Sequence, residues 1–277
     1  MISTYVRDNS FLGIKLLFGD KRNIEILKEF LKSILNLQAD EYEKVTLEDT
    51  HLKRESDDDK LGIVDIKLTT KNGKIIHIEM QILEQEDMPE RVTYYNAKML
   101  FTQLKSGQDY DKLQKTISIV IAADFEIIKD SLKYHHKFQL NDIESDVKFT
   151  DLIEIDTLEL QKIPEQSDNT AIYDWLRFLK AEKEVEFDML AERNPIIKQA
   201  VVELKRLSQD EEAQMLYEAR IKAIRDENSR TKTAENKGRV AEKTEIAINL
   251  IRMGLLNDQI SEATGLTTEK IEILRNS

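Results

Sequence analysis

Cysteine is absent from this 277-residue chain, and proline, glycine and tryptophan are scarce, at 3, 8 and 1 residues. Without cysteine there are no disulfides and no thiolate metal sites, which is compatible with a reducing cytoplasm. So few helix breakers favour long helices. No apolar run approaches the roughly 18 residues of a membrane span, and the opening MISTYVRDNS has neither the basic nor the apolar block of a signal peptide. A soluble, cytoplasmic protein with no membrane partner is the expectation. Basic charge is also in deficit: 41 Lys+Arg stand against 53 Asp+Glu, a formal net charge of −12. That balance argues against a generic, broadly basic nucleic-acid binder. The deficit is uneven, about −4 up to residue 125 and about −8 beyond it.

What is present is one stretch with the look of chemistry, LGIVDIKLTTKNGKIIHIEMQI at 61–82. Val64, Ile66 and Leu68 alternate with Asp65, Lys67 and Thr69, and Ile76, Ile78, Met80 and Ile82 alternate with His77, Glu79 and Gln81. Period two predicts a hairpin of strands, each with one buried face. The turn decides whether the polar rows meet. A two-residue Asn72-Gly73 loop would set Asp65 against Met80, whereas a three-residue loop, Lys71-Asn72-Gly73, with Gly73 left-handed, sets it against Glu79. The three-residue loop is the expectation. Two carboxylates roughly 5 Å apart at Cβ would repel without a cation between them, and hard oxygen ligands suit Mg²⁺ or Mn²⁺. The bland alternative is a charged, solvated sheet face.

Asp65, the hairpin and Glu79-Met80-Gln81 resemble the core motif of PD-(D/E)XK nucleases. With Lys15-Leu-Leu-Phe-Gly19, Phe30-Leu31, Ile34-Leu35, Arg91, Tyr94-Tyr95, Gln103, Gly107 and Tyr110, the first 165 residues resemble the Rpn family of recombination-promoting nucleases and transposase-like proteins. The resemblance implies an α/β fold with an α-β-β-β-α-β core and a mainly helical C-terminal region. It implies a Mg²⁺- or Mn²⁺-dependent DNA endonuclease in which Asp65, Glu79 and Gln81 are catalytic and Asp65, Glu79 and the Met80 carbonyl hold the metal. Arg91 and Lys98 would bind phosphate. Two departures stand out: Gln81 takes the place of the superfamily lysine, and Phe11 that of a frequent aspartate four residues before Lys15, leaving Asp8 as a shifted equivalent. Glutamine can orient water or a phosphate oxygen but cannot neutralise charge. In the superfamily an acid on the first helix can join the ligands, which makes Glu25 and Glu29 candidates; a solvated helix face explains them as well.

Elsewhere, 11–19 and 22–37 read as helices and 44–52 as a short strand carrying Val45, Leu47 and Thr50, with Asp57-Asp-Asp59 in a solvated loop. Asp87-Met-Pro-Glu90 reads as a capped helix start running to about Ser106. TISIVIA at 116–122 is a buried strand, and 137–140 and 149–155 are strands too. His135 and His136, adjacent in sequence, are expected to point to opposite faces at the surface. Pro164–Asn169 is a candidate linker, and Trp175 an anchor for the following helices. Lys237-Gly238 marks a break in a charged helical stretch. The end reads as helix, Gly254, a helix capped by Asn257, Gly265, and a helix capped by Thr267, an arrangement similar to a helix-turn-helix unit. Its balanced charge suits packing or a homodimer as well as groove reading. The expected division is a nuclease-like domain at 1–165, a helical region and connector at 166–243, and a tail at 244–277. The alternative function is a catalytically silent protein binding DNA or a protein partner through its helical end.

Overall fold

The computed structural model describes residues 10–48, 66–82, 84, 86–207, 209 and 211–276; for residues 10–12 and most of 211–235 only the backbone is described. Asp8, Asp57-Asp-Asp59, Val64 and Asp65 lie outside the described residues, as does the expected strand beyond residue 48.

A mixed sheet forms the centre. Its strands are β1 (Thr46–Leu47), β2 (Ile66–Thr69), β3 (Ile75–Gln81), β4 (Thr116–Ala122), β5 (His135–Asn141) and β6 (Lys148–Glu159), in the spatial order β1-β2-β3-β4-β6-β5. β3–β4 and β4–β6 pair parallel, and the other pairs are antiparallel. Among the described residues the helices are α1 (Ser10–Gly19), α2 (Ile24–Ile34), α3 (Met88–Phe101), α4 (Ala171–Lys180), α5 (Glu184–Arg193), α6 (Pro195–Leu207), α7 (Glu211–Arg252), α8 (Asn257–Thr264) and α9 (Thr268–Arg275). From α2 to β4 the order is α-β-β-β-α-β, as the resemblance implied. The architecture is α/β with a helical C-terminal region.

Sheet alternation sorts the two faces. Ile76, Ile78 and Met80 of β3 and Ile117, Ile119 and Ile121 of β4 share one face and bury it against α1, α2, α4 and α6. The other face is covered by α3, whose Met88 and Val92 pack on Val120, Ala122 and Phe125. Parallel strands covered on both sides must be apolar on both faces, and β4 is buried at every residue. β3 differs from the one-sided strand expected of a half-polar hairpin. Its polar residues His77 and Glu79 are buried as well, because α3 closes over them.

The turn carries the predicted geometry. Gly73 N–H donates to Thr70 O at 3.0 Å, Thr70 N–H donates to Lys74 O at 3.0 Å, and Gly73 has φ +85°. Residues 71–73 thus form a three-residue loop, pairing Ile66 with Ile78 and Leu68 with Ile76.

Other expectations shift. The second helix stops at Ile34, where Leu35 turns extended. α3 ends at Phe101, and its N-cap Asp87 makes no side-chain cap, so the capping box with Glu90 does not form. The histidines lie within β5, half-buried rather than at the surface: His135 meets Asp156 at 2.7 Å and His136 meets Ser131 at 2.7 Å on the opposite face. Trp175 is an anchor, packed edge-on to Phe30 at 5.7 Å and Phe178 at 5.7 Å. Helix α7 runs unbroken through Gly238. Residues 10–214 belong to one compact unit and 215–277 to a second. Within the second unit, Ala247, Ile260 and Ile271 form a small core of their own. There the cap of α8 is Leu256 rather than Asn257, and Thr267 caps α9 as expected. Arg275 is engaged inside the unit, donating to Leu255 O at 2.6 Å. Among the described residues, no helix is long and apolar enough to cross a membrane.

Candidate active site

Glu79 is the centre of what the structure brings together. It lies in the middle of a strand flanked on both sides, beneath α3, and is 2% exposed. A lone carboxylate at such a depth is costly unless its charge is met, and three neighbours meet it. Arg91, in the first turns of α3, places a guanidinium nitrogen 2.9 Å from Oε1. Gln81, two residues along the same face of β3, donates its amide to that same oxygen at 2.5 Å. His77, two residues the other way and fully buried, stands with Nε2 3.4 Å from Oε2. Burial would raise the Glu79 carboxyl, but His77, Arg91 and Gln81 outweigh it and hold it below the usual carboxylate range. The group is therefore an anion at neutral pH.

The two oxygens are used unequally. Oε1 takes both Arg91 and Gln81, whereas Oε2 is buried without a hydrogen-bond partner. A buried anionic oxygen with spare lone pairs fits a hard divalent cation. The described residues alone do not make a full ligand set: no group of three or more His, Asp or Glu among them is arranged to hold a metal.

The remaining candidates fall as follows. Arg91 reaches Glu79 rather than pairing with Glu90 or Glu86, and its guanidinium also lies 5.6 Å from the centre of the Tyr95 ring. Lys98, two turns further along α3, is buried with its ammonium 6.0 Å from the Tyr94 ring. Met80 is a buried member of the opposite, apolar face, so only its backbone could serve Glu79's side. Glu25 and Glu29 are taken up in helix-surface pairs with Lys28 and Lys32, at 2.7 and 2.6 Å.

Sequence reasoning passed over a polar track beneath α3. Asn96 of α3 donates to Ser118 Oγ of β4 at 2.9 Å and to Glu154 O at 3.2 Å, and accepts from Thr116 Oγ1 at 2.7 Å. Ser118 Oγ lies 3.5 Å from His77 Nδ1. One signal for it exists: Thr116 and Ser118 put two hydroxyls at alternate positions of the otherwise apolar TISIVIA run. A second buried network lies on the other face of β6, where Glu154 binds Lys115 and Lys137, both at 2.7 Å, and Asp156 binds His135. Both networks satisfy polar groups that the pattern of hydrophobic residues could not reveal.

Comparison with curated proteins and with solved structures yields no match. A protein-family model described as PD-(D/E)XK nuclease family transposase matches residues 9–234, which takes in the whole sheet, the helices on both its faces and the first half of α7. With the order of elements from α2 to β4 and a strand carrying Glu79-Met80-Gln81 at the heart of the matched span, the chain belongs to that family of nuclease-like transposases.

Proposed function

We propose that this protein is a divalent-metal-dependent DNA endonuclease, hydrolysing phosphodiester bonds in the manner of a recombination-promoting or transposase-like nuclease. The observation that carries the reading is the ionised, buried Glu79, whose Oε2 has no formed hydrogen bond and only the longer contact to His77, beside Gln81 and Arg91. Asp65 is assigned as the second carboxylate. It lies outside the described residues, and the assignment rests on the resemblance of Asp65, the hairpin and Glu79-Met80-Gln81 to the nuclease motif. Those two carboxylates, with the Met80 carbonyl, would hold Mg²⁺ or Mn²⁺.

The chemistry such an ion supplies when bound is activation of water and neutralisation of charge at the scissile phosphate. The chain's own side chains do the rest. Gln81 orients the attacking water or a phosphate oxygen through its amide. Arg91 is half-exposed and carries the fixed positive charge that the superfamily lysine would otherwise bring; Lys98, buried further along α3 beside Tyr94, adds a second positive charge to that helix rather than a direct phosphate contact. Hydrolysis adds water across the P–O bond, leaving a phosphate on one fragment and a hydroxyl on the other.

The test is incubation of the purified protein with supercoiled plasmid, with and without Mg²⁺ or Mn²⁺. Metal-dependent nicking by the wild type, abolished in a folded Asp65→Ala variant, supports the proposal; equal nicking by the variant ends the catalytic role of Asp65. One observation favours a silent, binding-only protein instead: Arg91 neutralises Glu79 directly at 2.9 Å, as in a structural ion pair. Absence of nicking under every metal condition, with DNA binding retained, would select that reading.

A further inference from the structure

We infer that His77 is a positioning residue for the Glu79 carboxylate, backed by the Asn96–Ser118 track; the inference rests on the metal-site reading above and deepens it. The polarity of the track is set from its far end. Glu154 O is a carbonyl and can only accept, so the Asn96 atom 3.2 Å from it is the amide nitrogen. The same nitrogen donates to Ser118 Oγ at 2.9 Å, while Asn96 Oδ1 takes the Thr116 hydroxyl at 2.7 Å. Ser118 Oγ in turn lies 3.5 Å from His77 Nδ1, so the track backs one side of the ring. The other ring nitrogen, Nε2, stands 3.4 Å from Glu79 Oε2.

These last two separations are longer than the usual hydrogen-bond range, so the ring holds its place by packing and by these two polar contacts together. His77 is wholly buried, and among the described residues His77 Nε2 and Glu79 Oε2 are both buried without a formed hydrogen bond. A ring N–H directed at one lone pair of Oε2 would leave the other for a cation. It also stops the carboxylate from rotating to spend both oxygens on Arg91 and Gln81. Outer partners of this kind typically change metal affinity about 10–100-fold when removed.

The test compares wild type with His77→Gln, His77→Asn and His77→Leu by calorimetric titration with Mn²⁺, alone and with a DNA duplex, and by thermal melting in EDTA. Glutamine can present an N–H where Nε2 stands, and asparagine reaches only as far as Nδ1. The expected result is Mn²⁺ affinity within about 3-fold of wild type for His77→Gln and a loss of about 10-fold or more for His77→Asn and His77→Leu. A merely structural role would lower the melting temperature across the series and leave Mn²⁺ affinity in the folded variants unchanged; that result, or equal affinity for Gln and Asn, overturns the inference. Absence of Mn²⁺ binding by the wild type, with or without DNA, overturns the metal site itself and this inference with it.

Discussion

Glu79 stays charged in a place where burial alone would discharge it, and the consequence has a definite sign. Its folded carboxyl titrates below the ordinary value of 4.5, so its contribution to stability is present above that pH and lost as pH falls through the lower folded value. The neighbour most exposed to test is Arg91. Removing it in Arg91→Ala leaves a buried carboxylate with Gln81 and a long contact to His77, and should destabilise the fold by about 1–3 kcal/mol in urea titration. Arg91→Lys keeps the charge without the fork and should recover part of that loss. A change below about 0.5 kcal/mol for Arg91→Ala would show that the ion pair holds nothing together.

The elements around the site obey local chemistry to different degrees. The β2–β3 turn was legible because Asn72-Gly73 between alternating strands demands a left-handed residue, and Gly73 at φ +85° supplies it. A Cβ at that position would also stand 3.2 Å from Gln114 Cγ, so Gly73→Ala should cost about 1–2 kcal/mol through strain, read as a shift in the urea midpoint. An unchanged midpoint would mean that the turn relaxes without loss. β4 was equally legible from its unbroken apolar run. The cap at Asp87, the break at Gly238 and the placing of the histidines were not. A single glycine costs a helix only about 1 kcal/mol relative to alanine, too little to end α7 among strong helix formers. His135 and His136 found carboxylate partners on β6 that lie far away in sequence. Trp175 sits fully buried between Phe18, Phe30 and Phe178; Trp175→Ala should cost about 3–5 kcal/mol, measured the same way.

At the scale of the whole molecule, the acidic balance sets both stability and binding. Lys115 and Lys137 offset the burial of Glu154 and hold its carboxyl down at about 2. The unfolded chain therefore binds this proton first, and the stabilisation is full above pH 4.5 and lost between about 4.5 and about 2. Acid unfolding should accordingly be cooperative in that window, and Glu154→Gln should flatten it; a variant with the wild-type acid profile would remove Glu154 from the account. With a net charge of −12, DNA binding has to rest on a few local contacts and should weaken with added salt. Part of the site was legible in the sequence for a physical reason: Glu79 and Gln81 share one strand, where period two puts them on the same face. Arg91 is placed by the packing of α3, and His77, Ser118 and Asn96 acquire a role only once that helix lies over the sheet. Non-local packing of this kind leaves little trace in spacing.

The central claim is that the carboxylates at 65 and 79 share one divalent cation. Titrating Mn²⁺ into the protein while following the resonance of the free ion measures this directly. One Mn²⁺ per chain for the wild type, and none for either Asp65→Asn or Glu79→Gln, is the predicted result. Stoichiometric binding that survives the loss of either carboxylate would contradict it.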